Sequence, residues 1–335
     1  MSLLPYAPLL AFPLLFFAFS RSSLPPKFNF LPGPAHAGLT SLPSTSRARE
    51  VYPEDWTEGG SYVQLPMGKV RYWMVGLASG RKITLIHGLT IPALAYAKLV
   101  PLLVEAGYHV LLYDLYGRGY SDAPKNASYD TNLYVTQLAL LLQHVGWRST
   151  RLVGFSMGGP IAAAFVVAFP GLVERDIVLI ASAGTSEKSP PCNELWNLNL
   201  PCARAWITRR VIARFVAAPN ADDGTMQEIV RVQASGLPGY LRAVASSLFD
   251  GPISRMRWAF KAASVWERRR VLFIHGERDA VVRPAASPLL QSLVESAGAA
   301  ATLVEIQNAG HDLTWTNAEE VGRAMLAFLG VESSA

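Results

Sequence analysis

Gly154-Phe155-Ser156-Met157-Gly158-Gly159 directly follows the apolar pair Leu152-Val153 and opens an apolar helical run from Pro160 to Phe169. In that setting G-x-S-x-G reads as a nucleophile elbow, a sharp strand-to-helix turn with a serine at its apex. Such a turn crowds the backbone, so Gly154 and Gly158 beside the serine must do without a Cβ, and the hydroxyl projects from the carboxyl edge of the sheet. The helix N-terminus beneath it offers positive potential to developing negative charge. The competing readings are a plain turn ahead of a packed helix and a phosphate loop. No P-loop lysine follows, however, and the glycines lack dinucleotide spacing.

A serine hydroxyl needs a base to take its proton and a third group to orient that base. Behind a nucleophile elbow they are expected after later strands, the acid first and the histidine second. Phe273-Ile274-His275-Gly276-Glu277-Arg278-Asp279 places Asp279 in the loop after one strand, and Asn308-Ala309-Gly310-His311 places His311 in the loop after the next. Parallel strands deliver both loops to the same edge as Ser156. Of the six histidines, His36 lies in the N-terminal region, His109 opens a strand, His144 ends a helix pattern and His275 closes a strand ahead of the acid. His87 belongs to another loop, which leaves His311 as the base. Glu277 and Asp312 compete with Asp279 for the acid, Glu277 standing ahead of the turn and Asp312 too close to His311 to orient it.

His87-Gly88-Leu89-Thr90 follows the strand Ile83-Thr84-Leu85-Ile86. Acyl transfer creates an oxyanion that preorganised N–H groups must meet. The backbone amides of Leu89 and Met157 are the candidates, with His87 and Gly88 supporting the loop. A strand-end turn without further role is the competing reading of His87. In Asp114-Leu115-Tyr116-Gly117-Arg118-Gly119-Tyr120-Ser121, after another strand, the acid and glycines read as bracing a tight loop.

Outward from these motifs, short Val/Ile/Leu-rich runs at 69–75, 83–87, 109–113, 151–155, 176–181, 271–275 and 302–307 read as buried strands. Segments with i, i+3, i+4 apolar spacing lie between most of them, at 94–103, 133–145 and 288–293. This alternation predicts an α/β fold, a doubly wound and mostly parallel sheet, beginning with an antiparallel hairpin that turns at Met67-Gly68. The pattern fails between about Gly184 and Trp266, where prolines punctuate helical pieces, so an inserted helical cap is expected at 184–266. The core is then 51–183 and 267–335. The cap holds Trp196, Trp206, Trp258 and Trp266, expected to pack its own interior, and Arg204, Arg209, Arg210 and Arg214, expected to face solvent. Thr316 with Glu319 reads as the capping box of the last helix.

Residues 1–50 read as an appendage that is poorly ordered. Leu3 to Phe19 is nearly continuous apolar sequence, and Ala18 and Ser20 stand in an A-x-A-like arrangement. No basic residue precedes the stretch, and Pro5, Pro8 and Pro13 interrupt it. Three readings stay open: a signal or anchor, a loose extension, and a misassigned start. The first makes the protein secreted or membrane-anchored, a context the Asn126-Ala127-Ser128 sequon fits; otherwise it is cytoplasmic. The 335 residues are 50% hydrophobic and 16% charged, a folded-protein composition. Of the formal charge of +5, the first 50 residues carry +3, so no basic stripe is left to hold nucleic acid. Cys192 and Cys202 form neither a disulfide framework nor a zinc pattern, though a single bridge fits an exported protein.

With these residues in hand, the chain resembles the α/β-hydrolase superfamily from about Tyr62 to Leu329. The likeness rests on HG at His87-Gly88, DxxGxGxS from Asp114 to Ser121, GFSMGG from Gly154 to Gly159, HGxxD from His275 to Asp279, and Gly310-His311. It implies the α/β-hydrolase fold with a cap after the sixth strand, Ser156 as nucleophile, Asp279 as acid, His311 as base, and Leu89 and Met157 as oxyanion amides. It looks most like the capped esterases, the valacyclovir-hydrolase-like group and the carbon–carbon bond hydrolases. Epoxide hydrolases and haloalkane dehalogenases have Asp at the elbow, where this chain has Ser156. Carbon–carbon bond hydrolases often have an aromatic residue after the base, where this chain has Asp312. The resemblance implies a serine hydrolase without metal or cofactor. Its expected partner is a small-molecule ester, with no nucleic acid and with membrane contact only through residues 1–20. Carbon–carbon bond hydrolysis and a noncatalytic ligand receptor are the alternatives.

Overall fold

The computed structural model describes residues 33–187, 201–216 and 224–330. Strands β1 (Gly60–Leu65) and β2 (Gly68–Val75) form an antiparallel hairpin in which Leu65 pairs with Gly68. The turn is therefore Pro66-Met67, one residue earlier than the spacing suggests. Strands β3 (Arg81–Ile86), β4 (Tyr108–Tyr113), β5 (Thr150–Phe155), β6 (Val173–Ile180), β7 (Arg270–Gly276) and β8 (Ala300–Ile306) complete a sheet ordered β8-β7-β6-β5-β3-β4-β2-β1. β2 runs antiparallel to β4, and all pairs from β4 through β8 are parallel.

Alternate strand residues feed two separate cores, because successive side chains point to opposite faces. Ile83, Leu85, Val110, Leu112, Val153 and Phe155 pack on one face with helices α1 (Val100–Glu105) and α8 (Ala318–Phe328). Ile86, Leu111, Tyr113, Leu152 and Phe273 pack on the other with α2 (Thr131–His144), α3 (Gly158–Ala168) and α7 (Ala286–Ser296). Burial on both faces explains why the central strands read as continuous apolar runs. Asp130 caps α2 by accepting the Leu133 N–H at 2.9 Å. The helical spacing at 94–103 resolves into a 3-10 turn, Ala93–Tyr96, and then α1, with Pro101 in the first turn of α1, where a missing N–H costs nothing.

Helices α4 (Pro201–Val216), α5 (Thr225–Gly236) and α6 (Tyr240–Phe249) form the insertion between β6 and β7. α5 and α6 lie over the loops that follow β3 and β4, with Gln233 and Tyr240 hydrogen-bonded to the Thr90 carbonyl. The expected boundary at 266 runs too far. The short helices Arg257–Phe260 and Ala263–Trp266 pack on α3 and α7. Trp266 is fully buried there, stacked on Phe260. Among the described residues, the tryptophans do not build the interior of the insertion either. Trp206 and Trp258 are half-exposed, and Ile207, Ile212, Ile229, Val230, Tyr240 and Val244 fill that space. Arg209 and Arg210 face solvent, while Arg204 forms a two-point pair with Asp250. Trp196 and Cys192 fall outside the described residues, as do the side chains of Cys202 and Arg214.

Two further expectations need correction. Residues 33–50 are not a loose extension: Leu39 is completely buried, Arg47–Val51 form a helical turn, and Ala35–His36 pair antiparallel with Ala123–Pro124. The Pro- and Ser-rich composition hides Leu39, Ala48 and, just beyond, Tyr52, whose burial repays the ordering of this segment. The last helix has no capping box, since the Thr316 hydroxyl donates to the Asp312 carbonyl and Asn317 becomes the N-cap. Thr316 is itself the end of a short helix, Leu313–Thr316, so its side chain bonds back into that turn. The apolar stretch near the N-terminus lies outside the described residues. Among the described residues no helix is long and apolar enough to cross a membrane.

Candidate active site

Ser156 sits between β5 and α3 with a left-handed φ of 54°. Its N–H donates to Ile180 at 2.9 Å, and its carbonyl accepts from Gly159 and Ala183, both at 3.1 Å. These three bonds hold the strained residue in place. A Cβ on Gly158 would overlap the Ile86 carbonyl oxygen, and one on Gly154 would overlap the Gly158 carbonyl. Both glycines are thus required by close backbone approach.

The loops after β7 and β8 bring Asp279 and His311 to this serine. His311 Nε2 lies 3.0 Å from Ser156 Oγ, and His311 Nδ1 lies 2.7 Å from Asp279 Oδ2. Asp279 is nearly buried, and its Oδ1 accepts the Val281 and Val282 N–H groups at 2.8 and 2.9 Å. Burial by itself raises this carboxyl, but His311, His275 and the Val282 N–H hold it well below the usual carboxylate range. It is therefore ionised, and His311 Nδ1 donates to it, which leaves Nε2 to accept a hydrogen bond from the Ser156 hydroxyl. Of the rival acids, Glu277 is turned away to accept the Asn308 N–H at 2.9 Å. Asp312 opens the turn of Leu313–Thr316.

His275, set aside in the sequence as a strand-end residue, reaches the same carboxylate. Its Nε2 lies 2.9 Å from the Val282 carbonyl and 3.2 Å from Asp279 Oδ2, and its Nδ1 lies 2.6 Å from Ser287 Oγ. The signal available was its spacing: four residues ahead of Asp279, with a tight loop between, a buried residue near the strand end comes within reach of the carboxyl.

On the other side of the serine, the β3 loop is set by His87. The Leu115 N–H donates to His87 Nε2 at 2.8 Å, so the proton sits on Nδ1, which donates to the Gly88 carbonyl at 2.9 Å. Burial, aided by the Arg118 charge, pushes His87 down to about 3 and keeps it neutral. The Gly88–Leu89 peptide is planar, so pinning its carbonyl also directs the Leu89 N–H. A Cβ on Gly88 would stand 3.2 Å from Ser156 Cβ, which places this peptide against Ser156. Among the described residues, no loop or turn carbonyl takes up the Leu89 or Met157 N–H. Asp114 braces its loop as expected, accepting from Tyr52 Oη, the Ala93 N–H and the Tyr120 N–H at 3.0, 2.9 and 2.8 Å.

The family model of the alpha/beta hydrolase fold matches residues 83–318. The chain belongs to the alpha/beta hydrolase family. Within it, the chain is 30% identical over 253 residues to the 2-hydroxymuconate semialdehyde hydrolase of Pseudomonas sp. (strain CF600), a match covering 73% of this chain and 84% of that one. It is 25% identical over 258 residues to Lipase 1 of Psychrobacter immobilis, covering 72% and 75% of the two chains. Among solved structures, the esterase of Exiguobacterium antarcticum superimposes with a TM-score of 0.65 at 19% identity, over 81% of this chain and 99% of that one. This last likeness is one of fold.

Proposed function

We propose that this alpha/beta hydrolase is a serine hydrolase that cleaves a carboxylic ester of a small to medium, partly hydrophobic substrate through an acyl-enzyme. The observation that carries the reading is the continuous chain from Ser156 Oγ through His311 to Asp279, at 3.0 and 2.7 Å. His311 Nε2 takes the serine proton as Oγ attacks the carbonyl carbon. The ionised Asp279 compensates the imidazolium that results, and the Leu89 and Met157 amides receive the oxyanion. Collapse of the tetrahedral species expels the alcohol, which takes the proton from His311. Water then attacks the acyl-serine by the same route, releasing the acid and restoring the hydroxyl. The insertion over the β3 and β4 loops acts as the cap that screens this chemistry from solvent.

The test is fluorophosphonate labelling and turnover of p-nitrophenyl acetate and butyrate by wild type and Ser156→Ala. Labelling at Ser156 is expected in the wild type and is lost in the variant, with turnover falling by about 10⁴-fold or more. A folded wild type with neither labelling nor serine-dependent turnover overturns the reading in favour of a noncatalytic receptor. Likeness to the 2-hydroxymuconate semialdehyde hydrolase favours a second reading, carbon–carbon bond hydrolysis on the same serine. Consumption of a vinylogous diketone far faster than of simple esters distinguishes it.

A further inference from the structure

Three consecutive carbonyls of the β3 loop are each held by a buried side chain from another part of the chain or, for the first, by His87. The Gly88 carbonyl is held by His87, and the Thr90 carbonyl by Tyr240 at 2.9 Å and Gln233 at 3.3 Å. The Leu89 carbonyl between them accepts Arg118 Nε at 2.9 Å. Arg118 is completely buried. Its Nη1 donates to the Tyr116 carbonyl at 3.0 Å and to Tyr134 Oη at 2.6 Å, and its Nη2 donates to Ser247 Oγ at 2.8 Å. Ser247 lies on α6 of the insertion, donates its hydroxyl hydrogen bond to the Ala243 carbonyl, and stands 2.6 Å from Tyr134 Oη.

We propose that Arg118 is a positioning residue for the oxyanion side of the site: it joins cap helix α6 to the Leu89–Thr90 peptide, so that the seating of the cap fixes Leu89 from its carbonyl side while His87 fixes the preceding peptide that carries the Leu89 N–H. This rests on the reading of Leu89 as an oxyanion donor. The choice of residue supports the proposal. The four acceptors of this guanidinium are two carbonyls and two hydroxyls, none a carboxylate, although a buried cation is costly without an anion beside it. Neutral donors would satisfy those oxygens at less cost. What the guanidinium adds is one rigid fork reaching two loops and two helices at once, with a fixed positive charge one peptide away from the N–H that meets developing negative charge. The same charge adds to burial in disfavouring His87 as a cation.

The test uses the full-length protein with Arg118→Met, Arg118→Lys and Ser247→Ala. The readouts are kcat and KM on p-nitrophenyl butyrate, affinity for an aryl trifluoromethyl ketone that forms a tetrahedral serine adduct, and amide exchange across residues 87–91. Arg118→Met is expected to lower kcat by about 10²-fold, the scale of one lost oxyanion donor, with KM changed by less than about threefold. Ketone affinity falls by the same factor as kcat, Arg118→Lys recovers part of both, and Ser247→Ala loses several-fold in both while Ser156 still labels. Unchanged kcat and ketone affinity in a folded variant, or an effect on KM alone, overturns the proposal. Should Arg118→Met not fold, Ser247→Ala decides, because it removes one hydroxyl and leaves the charge. If the wild type shows no serine-dependent turnover, the functional reading fails, and amide exchange decides the coupling separately: faster exchange at Leu89 and Thr90 in Ser247→Ala upholds it, and unchanged exchange overturns it.

Discussion

His87 and Asp114 stand at the ends of neighbouring strands, and burial displaces them in opposite directions. His87 is lowered from 6.5 to about 3, and Asp114 is raised from 3.8 to about 7 against the pull of its three hydrogen-bond donors and Arg71. Between about pH 3 and 6.5 the unfolded chain binds a proton that buried His87 refuses, so this residue makes stability rise with pH, by about 1.4 kcal/mol per unit. Between about pH 4 and 7 folded Asp114 keeps a proton that the unfolded chain releases, so it makes stability fall with pH by the same slope. In their common window the two contributions cancel. Single variants separate them: unfolding free energy is expected to fall from pH 4.5 to 6.5 in His87→Gln and to rise over that range in Asp114→Asn, measured by urea denaturation. Asp279, held low, contributes stability that is present above about pH 4 and lost as pH falls through its depressed value.

The elbow is a property of the joint between β5 and α3 more than of Ser156 alone. Its helix starts flush against β3, with Gly158 facing the Ile86 carbonyl. Gly158→Ala is expected to cost about 3 kcal/mol, the upper range for overpacking, because backbone on both sides must move apart. Chemical denaturation checks this, and a loss under 1 kcal/mol shows that the joint gives way more easily than its geometry implies. At this scale the strands and the elbow were legible, since buried parallel strands and glycine-flanked turns leave local marks. The start of α8 was not, because Thr316 obeyed a preceding turn that its S/T-x-x-E pattern does not reveal.

Over the whole molecule, the segment ahead of the sheet is part of the same packed body as the site. Tyr52 Oη reaches Asp114, Tyr120 Oη donates to the Tyr52 carbonyl at 2.5 Å, and the Leu39 N–H donates to Gly119 at 2.9 Å. A chain beginning at residue 53 is expected to lose several degrees in Tm or fail to fold, because buried Leu39, Ala48 and Tyr52 leave their places on the core. Thermal melts of that truncation and of one beginning at residue 33 decide it: equal melting temperatures refute the role of residues 33–52. Apolar periodicity, glycine placement and the order of Ser156, Asp279 and His311 determined the fold class and the proposed reacting groups, because each is written in residues close together along the chain. Only the tertiary structure decided that His275 serves Asp279, that Arg118 joins α6 to Leu89, and that residues 33–50 pack. Each of those depends on which distant surfaces meet once the sheet has formed, and local spacing carries no record of that.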